Sequence, residues 1–164
     1  MVDTFFPIDG SAIGVRFTLT DAVPQFPLGT VIKGNKGSVW VYVLAGAAIT
    51  ANTTVHINGS SVANMITAAL AITAGQIGTV QNAISNSAYG WAALTGEGLT
   101  FSVGASCASS VPLYTTDTAG VLDDATASAS HFQVQGVLIT ATNSGSASTV
   151  PGTFNFPIIR RPAP

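Results

Sequence analysis

The residues of this chain that could do acid–base or nucleophilic chemistry are few. There are two histidines, His56 and His131, and no serine lies in a Gly-x-Ser-x-Gly sequence. Nucleophilic catalysis needs a base beside an activated nucleophile, and no such arrangement is visible. Each histidine alternates with apolar neighbours, which predicts solvent-facing positions on strands. The sequence therefore predicts no catalytic residue and no enzyme activity.

Metal and cofactor sites are equally hard to build from these residues. Cys107 lies among alanines and serines with no cation nearby, which predicts a small buried residue. Asp117, Asp123 and Asp124 form the only acidic cluster, but adjacent residues in an extended segment point to opposite faces. The glycines match no nucleotide-binding fingerprint. We expect no metal and no cofactor.

Four aromatic residues offer a different chemistry. Trp40, Tyr42, Tyr89 and Trp91 could stack on sugar rings, as in β-sandwich carbohydrate-binding modules. Core packing between strands is the favoured alternative, because large aromatic side chains usually end up mostly buried.

The composition indicates a protein surface with little charge. The chain has 164 residues, enough for one domain, and only 7% are charged, whereas about 25% is usual. No charged residue lies between Lys36 and Glu97, or from Ala125 to Ile159. A net charge of −2 disfavours nucleic-acid binding. Either the protein diffuses freely with a neutral surface or, as we favour, much of that surface is covered in an assembly.

Neither secretion nor membrane insertion is expected. A single cysteine cannot close an intrachain disulfide, and the first residues lack the basic and apolar regions of a secretory signal. We therefore expect synthesis in, and release into, the cytoplasm of the cell that makes the protein. The best apolar stretch, residues 62–75, is too short to span a bilayer.

Proline and glycine divide the chain into three parts. Residues 1–29 are predicted to be an extended N-terminal arm, residues 30–159 a β-rich body, and residues 160–164 a C-terminal tail. The apolar residues of the arm need a surface, which is either the chain's own body or a neighbouring subunit.

Short β segments with turn signals fill the body. Residues 30–34 and 38–44 predict a hairpin whose second strand is covered on both faces. Residues 89–95 and 99–105 predict another hairpin, turning at Gly96-Glu97-Gly98. The pattern predicts an all-β fold: a compact β-sandwich or β-barrel body with an extended N-terminal arm and a C-terminal tail.

Other segments are less regular. A short helix, strand or loop is predicted within residues 61–74, and a loop over residues 143–152. Gly136 is predicted to form a bulge or bend in the strand 132–142, and Pro157 to place the closing strand at a sheet edge.

Several short sequence segments of the body resemble segments of small virion proteins. The resemblance covers residues 29 to about 142 and is to capsid decoration, or cement, proteins of tailed bacteriophages. It implies a β-rich body on the outside of an icosahedral head, commonly a trimer, which clamps neighbouring coat subunits. It also implies no enzyme activity and no cofactor. The segments on which the resemblance rests are GTVIKG (29–34), SVWVYV (38–43), YGWAALTGEGL (89–99) and LYTTDTAGVLDD (113–124).

From this resemblance and the arm we expect a homo-oligomer on the virion exterior, bound to the major coat protein. A phage tail or fibre component and a carbohydrate-binding module are the alternatives. For Arg160 and Arg161, a solvated tail or a salt bridge to an acidic neighbour is also open. The candidate coat-protein interface consists of Phe5, Phe6, Pro7, Ile8, Phe17, Phe26, Arg160 and Arg161.

Overall fold

The computed structural model describes residues 15–125 and 130–160 and is almost entirely β. The predicted all-β class is confirmed. No helix in these two ranges is long and apolar enough to cross a bilayer. The elements are β1 (Val31–Lys33), β2 (Val39–Ala45), β3 (Thr53–Ile57), β4 (Val62–Met65), α1 (Ala68–Ala71), β5 (Gln76–Val80), β6 (Tyr89–Val103), β7 (Leu113–Thr115), β8 (Leu122–Asp123), β9 (Gln133–Ile139) and β10 (Ser148–Arg160).

The strand pairings close into two rings. The first ring runs β2-β4-β3-β5-β6 and returns to β2, because β2 pairs with both β4 and β6. The second ring runs β6-β10-β9-β7-β8 and returns to β6. Strand β1 adds to β2 outside the first ring and forms the predicted hairpin with it. Because the rings are closed, the backbone hydrogen-bonding groups at most strand edges pair with another strand of the same chain.

Strand β6 belongs to both rings, and this overturns the hairpin predicted at Gly96-Glu97-Gly98. The chain continues as one 15-residue strand. Its first half pairs with β2 and β5, and its second half pairs with β10. Gly96 at φ +155° and Gly98 at φ +70° allow a bend where the register against β10 shifts. The glycines therefore make a bulge rather than a turn, because each half of the strand has its own partners.

Each ring has its own apolar interior. Small aliphatic residues fill the first, among them Val41, Val43 and Val80. The second contains Phe101 and Phe154, whose ring centroids are 5.4 Å apart, and it is continuous with Trp40, Tyr42 and Trp91 on the outer face of the first ring. Strand β2 is covered on both faces, as predicted, because its other face carries Trp40 and Tyr42, both fully buried.

Three further segments can be compared with the sequence predictions. Helix α1 has only four residues, with Thr67 as its N-cap, and β4 precedes it. Strand β10 begins at Ser148, so half of the predicted loop is strand. Pro157 lies beyond the residues of β10 that pair with β6, because that pairing ends at Asn155, so β10 is at a sheet edge on this side, as predicted. It is tolerated because it sits in a register shift between Phe154 and Ile158, where no ladder bond is needed.

Candidate functional site

The described part of the predicted arm lies against the first ring. Phe17 stacks on Trp40 with ring centroids 4.6 Å apart and is only 3% exposed. Phe26 makes edge contacts with Tyr42 and Trp91. Two of the predicted interface residues are thus covered by their own chain. Phe5, Phe6, Pro7, Ile8 and Arg161 lie outside the described residues.

Hydrogen bonds fasten the same segment. Asp21 and Tyr89 exchange two backbone hydrogen bonds, and the Tyr42 hydroxyl donates to Asp21 Oδ2 at 2.7 Å. The Gln25 N–H donates to the same hydroxyl at 3.2 Å. Burial, and then the hydrogen bond to Asp21, raises the pKa of Tyr42 to about 12. The segment around Phe17 and Phe26, residues 15–28, is called the cover strip below.

The cover strip occupies the face that a sugar would need. Trp40 and Tyr42 are fully buried and Trp91 is 3% exposed, with Tyr89 packed against the same cluster. The aromatic residues therefore pack in the core, as the favoured alternative predicted. A stacking platform would require at least one open ring face.

Both histidines are more enclosed than the sequence predicted. His56 lies in β3, all of whose residues are buried, and its Nε2 is 3.1 Å from Thr73 Oγ1. Because this hydroxyl donates to the Leu70 carbonyl, it accepts from Nε2–H of His56. The His131 side chain is 10% exposed and its Nε2 is 3.5 Å from Asp117 Oδ1. The solvent-facing prediction fails for His56 because both faces of β3 are packed, and His131 lies before β9 rather than on a strand.

His56 lines a cleft of about 250 Å³. The cleft lies between the end of β10 and the segment after α1. Its other lining residues are Ala71, Thr73, Ala74, Gly75, Ile77, Pro157, Ile158 and Ile159. The polar pair at its wall, His56 and Thr73, is already internally hydrogen-bonded.

A second group of ionisable side chains gathers around Cys107. Its Sγ and one carboxylate oxygen each of Asp123 and Asp124 lie within 4.8 Å of one another. The expectation that the adjacent carboxylates diverge is wrong, because β8 ends at Asp123 and strand alternation stops there. The thiol is fully buried, as predicted, and burial raises its pKa to about 11.

The carboxylates of this group are held by the backbone. Asp124 Oδ2 accepts from the Ala108 N–H at 2.9 Å, and Asp123 Oδ1 accepts from the Asp124 N–H at 2.9 Å. Burial, together with a side-chain hydrogen bond to Asp124, raises the pKa of Asp123. These three residues are the ones within the described ranges that could hold a metal ion. Backbone N–H groups also account for the positions of both carboxylates.

The largest apolar side chains left open on the second ring belong to β9 and β10. Leu138 is 43% exposed, Phe156 56% and Ile158 60%. Arg160, the one predicted interface residue of the tail that is described, is exposed at the end of β10. Sequence reasoning missed Leu138, Phe156 and Ile158 as surface residues. The available signal was Gly136, whose predicted bulge is confirmed at φ +85° and turns this part of the sheet.

Comparisons with protein-family models, with curated proteins and with solved structures found no match.

Proposed function

We propose that this protein is a non-enzymatic structural component of a phage virion that binds the outer surface of the head and holds neighbouring coat subunits together. The observation that carries the proposal is the nearly uncharged exterior of the two rings, built from hydroxyl, amide and apolar side chains. No charged residue lies between Lys36 and Glu97, which includes β2 to β5. Such a surface costs little to desolvate against another protein.

The resemblance to capsid decoration proteins supplies the class of partner, the major coat protein, and the location, the virion exterior. The closed rings leave few strand edges free for uncontrolled pairing, which suits a protein that is present in many neighbouring copies. Many copies, each burying a modest area, would add up to a large stabilisation of a shell. The arm residues Phe5, Phe6, Pro7 and Ile8 remain the candidates for gripping the coat protein.

The carbohydrate-binding alternative has less support. It requires Trp40 or Trp91 at an open surface, and both are buried under the cover strip. Tryptophan emission that stays unchanged across a glycan panel is the expected result.

The copy number in purified virus particles tests the proposal. Quantitative mass spectrometry should give a ratio to the major coat protein that fits the icosahedral lattice. A handful of copies per particle would instead indicate a tail or fibre component. Absence from particles would overturn the proposal of a virion protein.

Removing the arm tests how the protein grips the head. Deletion of residues 2–14 retains the cover strip and both rings, so the variant should fold. It should no longer cosediment with heads that lack the protein. Full retention of binding would show that the arm is not the grip.

A further inference from the structure

The outward side of the β9–β10 pair carries exposed apolar side chains. Leu138 pairs with Thr153, and Ile158 pairs with Gln135. The neighbouring pairs Phe154–Val137 and Ile159–Val134 face the second ring, where Phe154, Val137 and Val134 are buried. Leu138 and Ile158 therefore lie on the opposite side of the strands, and the exposed Phe156 lies between Thr153 and Ile158 in the register shift of β10. We call this surface, with Leu138, Phe156 and Ile158 at its centre, the open face.

The backbone at the centre of the open face is strained. Phe156 has φ +40°, a left-handed conformation that an aromatic residue rarely adopts, and its side chain is 56% exposed. A Cβ on Gly136 would lie 2.6 Å from the Asn155 carbonyl oxygen, so this bulge depends on a glycine opposite it. Strain of this kind concentrates at binding surfaces, and here it holds a large apolar side chain in solvent.

Opposite charges stand at the two ends of the open face. Arg160 ends β10 and is exposed. At the other end, Glu97 pairs with Thr153, which in turn pairs with Leu138, so Glu97 lies in the same cross-strand row as Leu138. Glu97 is also exposed. Within the described ranges, neither Arg160 nor Glu97 takes part in a salt bridge.

We infer that the open face binds the open face of a second copy of this chain across a two-fold axis. A surface with a cation at one end and an anion at the other is complementary to itself after a 180° rotation. Arg160 then faces Glu97 of the partner subunit, and the reverse contact forms at the other end. This is an isologous interface with an apolar centre and a charged rim.

The charge arrangement is what selects a second copy as the occupant. An unrelated partner would have to supply an acidic group, an apolar centre and a basic group in one order and spacing. A second copy supplies all three at once. The pairing does not depend on the proposed virion function, so the copy number in particles and the solution dimer can fail separately.

Analytical ultracentrifugation of the purified full chain tests the apolar centre. The wild-type protein should show a concentration-dependent monomer–dimer equilibrium. The double substitution Phe156→Ser with Ile158→Ser should weaken dimerisation by about 100-fold or more. The matched control, Leu19→Ser with Val23→Ser, changes apolar residues that are 54% and 66% exposed on the cover strip. It should leave the equilibrium unchanged.

A charge exchange tests the orientation. Arg160→Glu alone and Glu97→Arg alone each place like charges at both ends of the interface, and each should weaken the dimer by about 10-fold or more at low salt. An equimolar mixture of these two variants should form heterodimers of near wild-type affinity. The doubly substituted chain should recover homodimers as well.

Several results would overturn the inference. One is a monomer at about 100 μM wild-type protein, a concentration that detects even weak pairing. Another is a dimer or trimer that withstands both single charge substitutions. A third is failure of the mixture to recover dimers although circular dichroism shows both variants folded. Because both residues are exposed, we expect each charge variant to fold.

Discussion

The two rings share strand β6, but the chain covers the outer apolar surface of the first ring and leaves that of the second exposed. On the first ring, the chain covers its aromatic face itself, with Phe17 stacked on Trp40 and Phe26 against Tyr42 and Trp91. On the second ring, Leu138, Phe156 and Ile158 remain open. The covered face is thereby part of the folding core, whereas the open face is available for association.

The interiors differ as well. Aliphatic residues such as Val41 and Val43 fill the first ring, while aromatic packing between Phe101 and Phe154 fills the second. Both rings carry ionisable groups: the Cys107–Asp123–Asp124 group lies at the β8 end of the second ring, and the Tyr42–Asp21 pair belongs to the first. The following predictions test whether the rings behave as separate structural regions.

The largest effects should come from truncating an aromatic residue in each region. Phe154→Ala and Phe17→Ala should each lower the free energy of unfolding by about 3–5 kcal/mol in urea denaturation. The two variants should differ in native tryptophan emission, since Trp40 and Trp91 both lie under the cover strip. We expect a red shift and stronger iodide quenching for Phe17→Ala alone. Equal shifts in both variants would show that the regions respond as one.

Gly136→Ala should destabilise the second ring by about 2–4 kcal/mol. The added Cβ meets the Asn155 carbonyl oxygen at 2.6 Å, and the residue would have to keep φ +85°. Gly98→Ala is the control, because it has φ +70° but no atom within 4 Å of the added Cβ. That variant should lose only about 1 kcal/mol. Equal losses in thermal unfolding would contradict the close approach at Gly136.

Tyr42→Phe should weaken attachment of the cover strip by about 1–2 kcal/mol, because Asp21 and the Gln25 N–H lose a hydrogen-bond partner. Its effect should depend on pH. The folded phenol keeps its proton up to about pH 12, whereas an unfolded tyrosine loses it near pH 10. Tyr42 therefore makes wild-type stability fall between these pH values, and Tyr42→Phe should show a flatter decline.

The smallest effect is expected from Asp123→Asn. Since the pKa of Asp123 is raised in the folded protein, the folded state binds its proton more tightly, and stability falls as pH rises through that pKa. The substitution removes this loss while retaining an oxygen that can accept from the Asp124 N–H. The melting temperature at pH 7 should rise by no more than a few degrees. The difference in melting temperature between Asp123→Asn and wild type should be more favourable to the variant at pH 7 than at pH 3. The opposite order would contradict the raised pKa.

Strands with strong local patterns were predictable, and long-range pairings were not. The turn signal at Asn35-Lys36 predicts the β1–β2 hairpin. The apolar residues on both sides of β2 predict that this strand is covered on both faces. The segment at Gly96-Glu97-Gly98 carries the same local signal as a hairpin. It extends instead because β2, β5 and β10 pair along both halves of β6, and these partners come from distant parts of the chain.

The candidate surface was only partly predictable for the same reason. The sequence identifies Phe17 and Phe26 as apolar residues that need a surface, and the tertiary structure makes that surface the chain's own β2 and β6. In contrast, Phe156 and Ile158 look like core residues of a closing strand. The bulge opposite Gly136 turns them outward, and no local pattern encodes the direction of that turn.

By itself, the sequence determined the all-β class, the scarcity of charge and the burial of Cys107, because composition and local alternation act residue by residue. Only the tertiary structure decided that the strands close into two rings and that the adjacent carboxylates of Asp123 and Asp124 meet. It also decided which apolar face the chain covers and which it leaves open. These outcomes depend on pairings between residues far apart in the chain, whose loop-closure entropy must be offset by the whole fold.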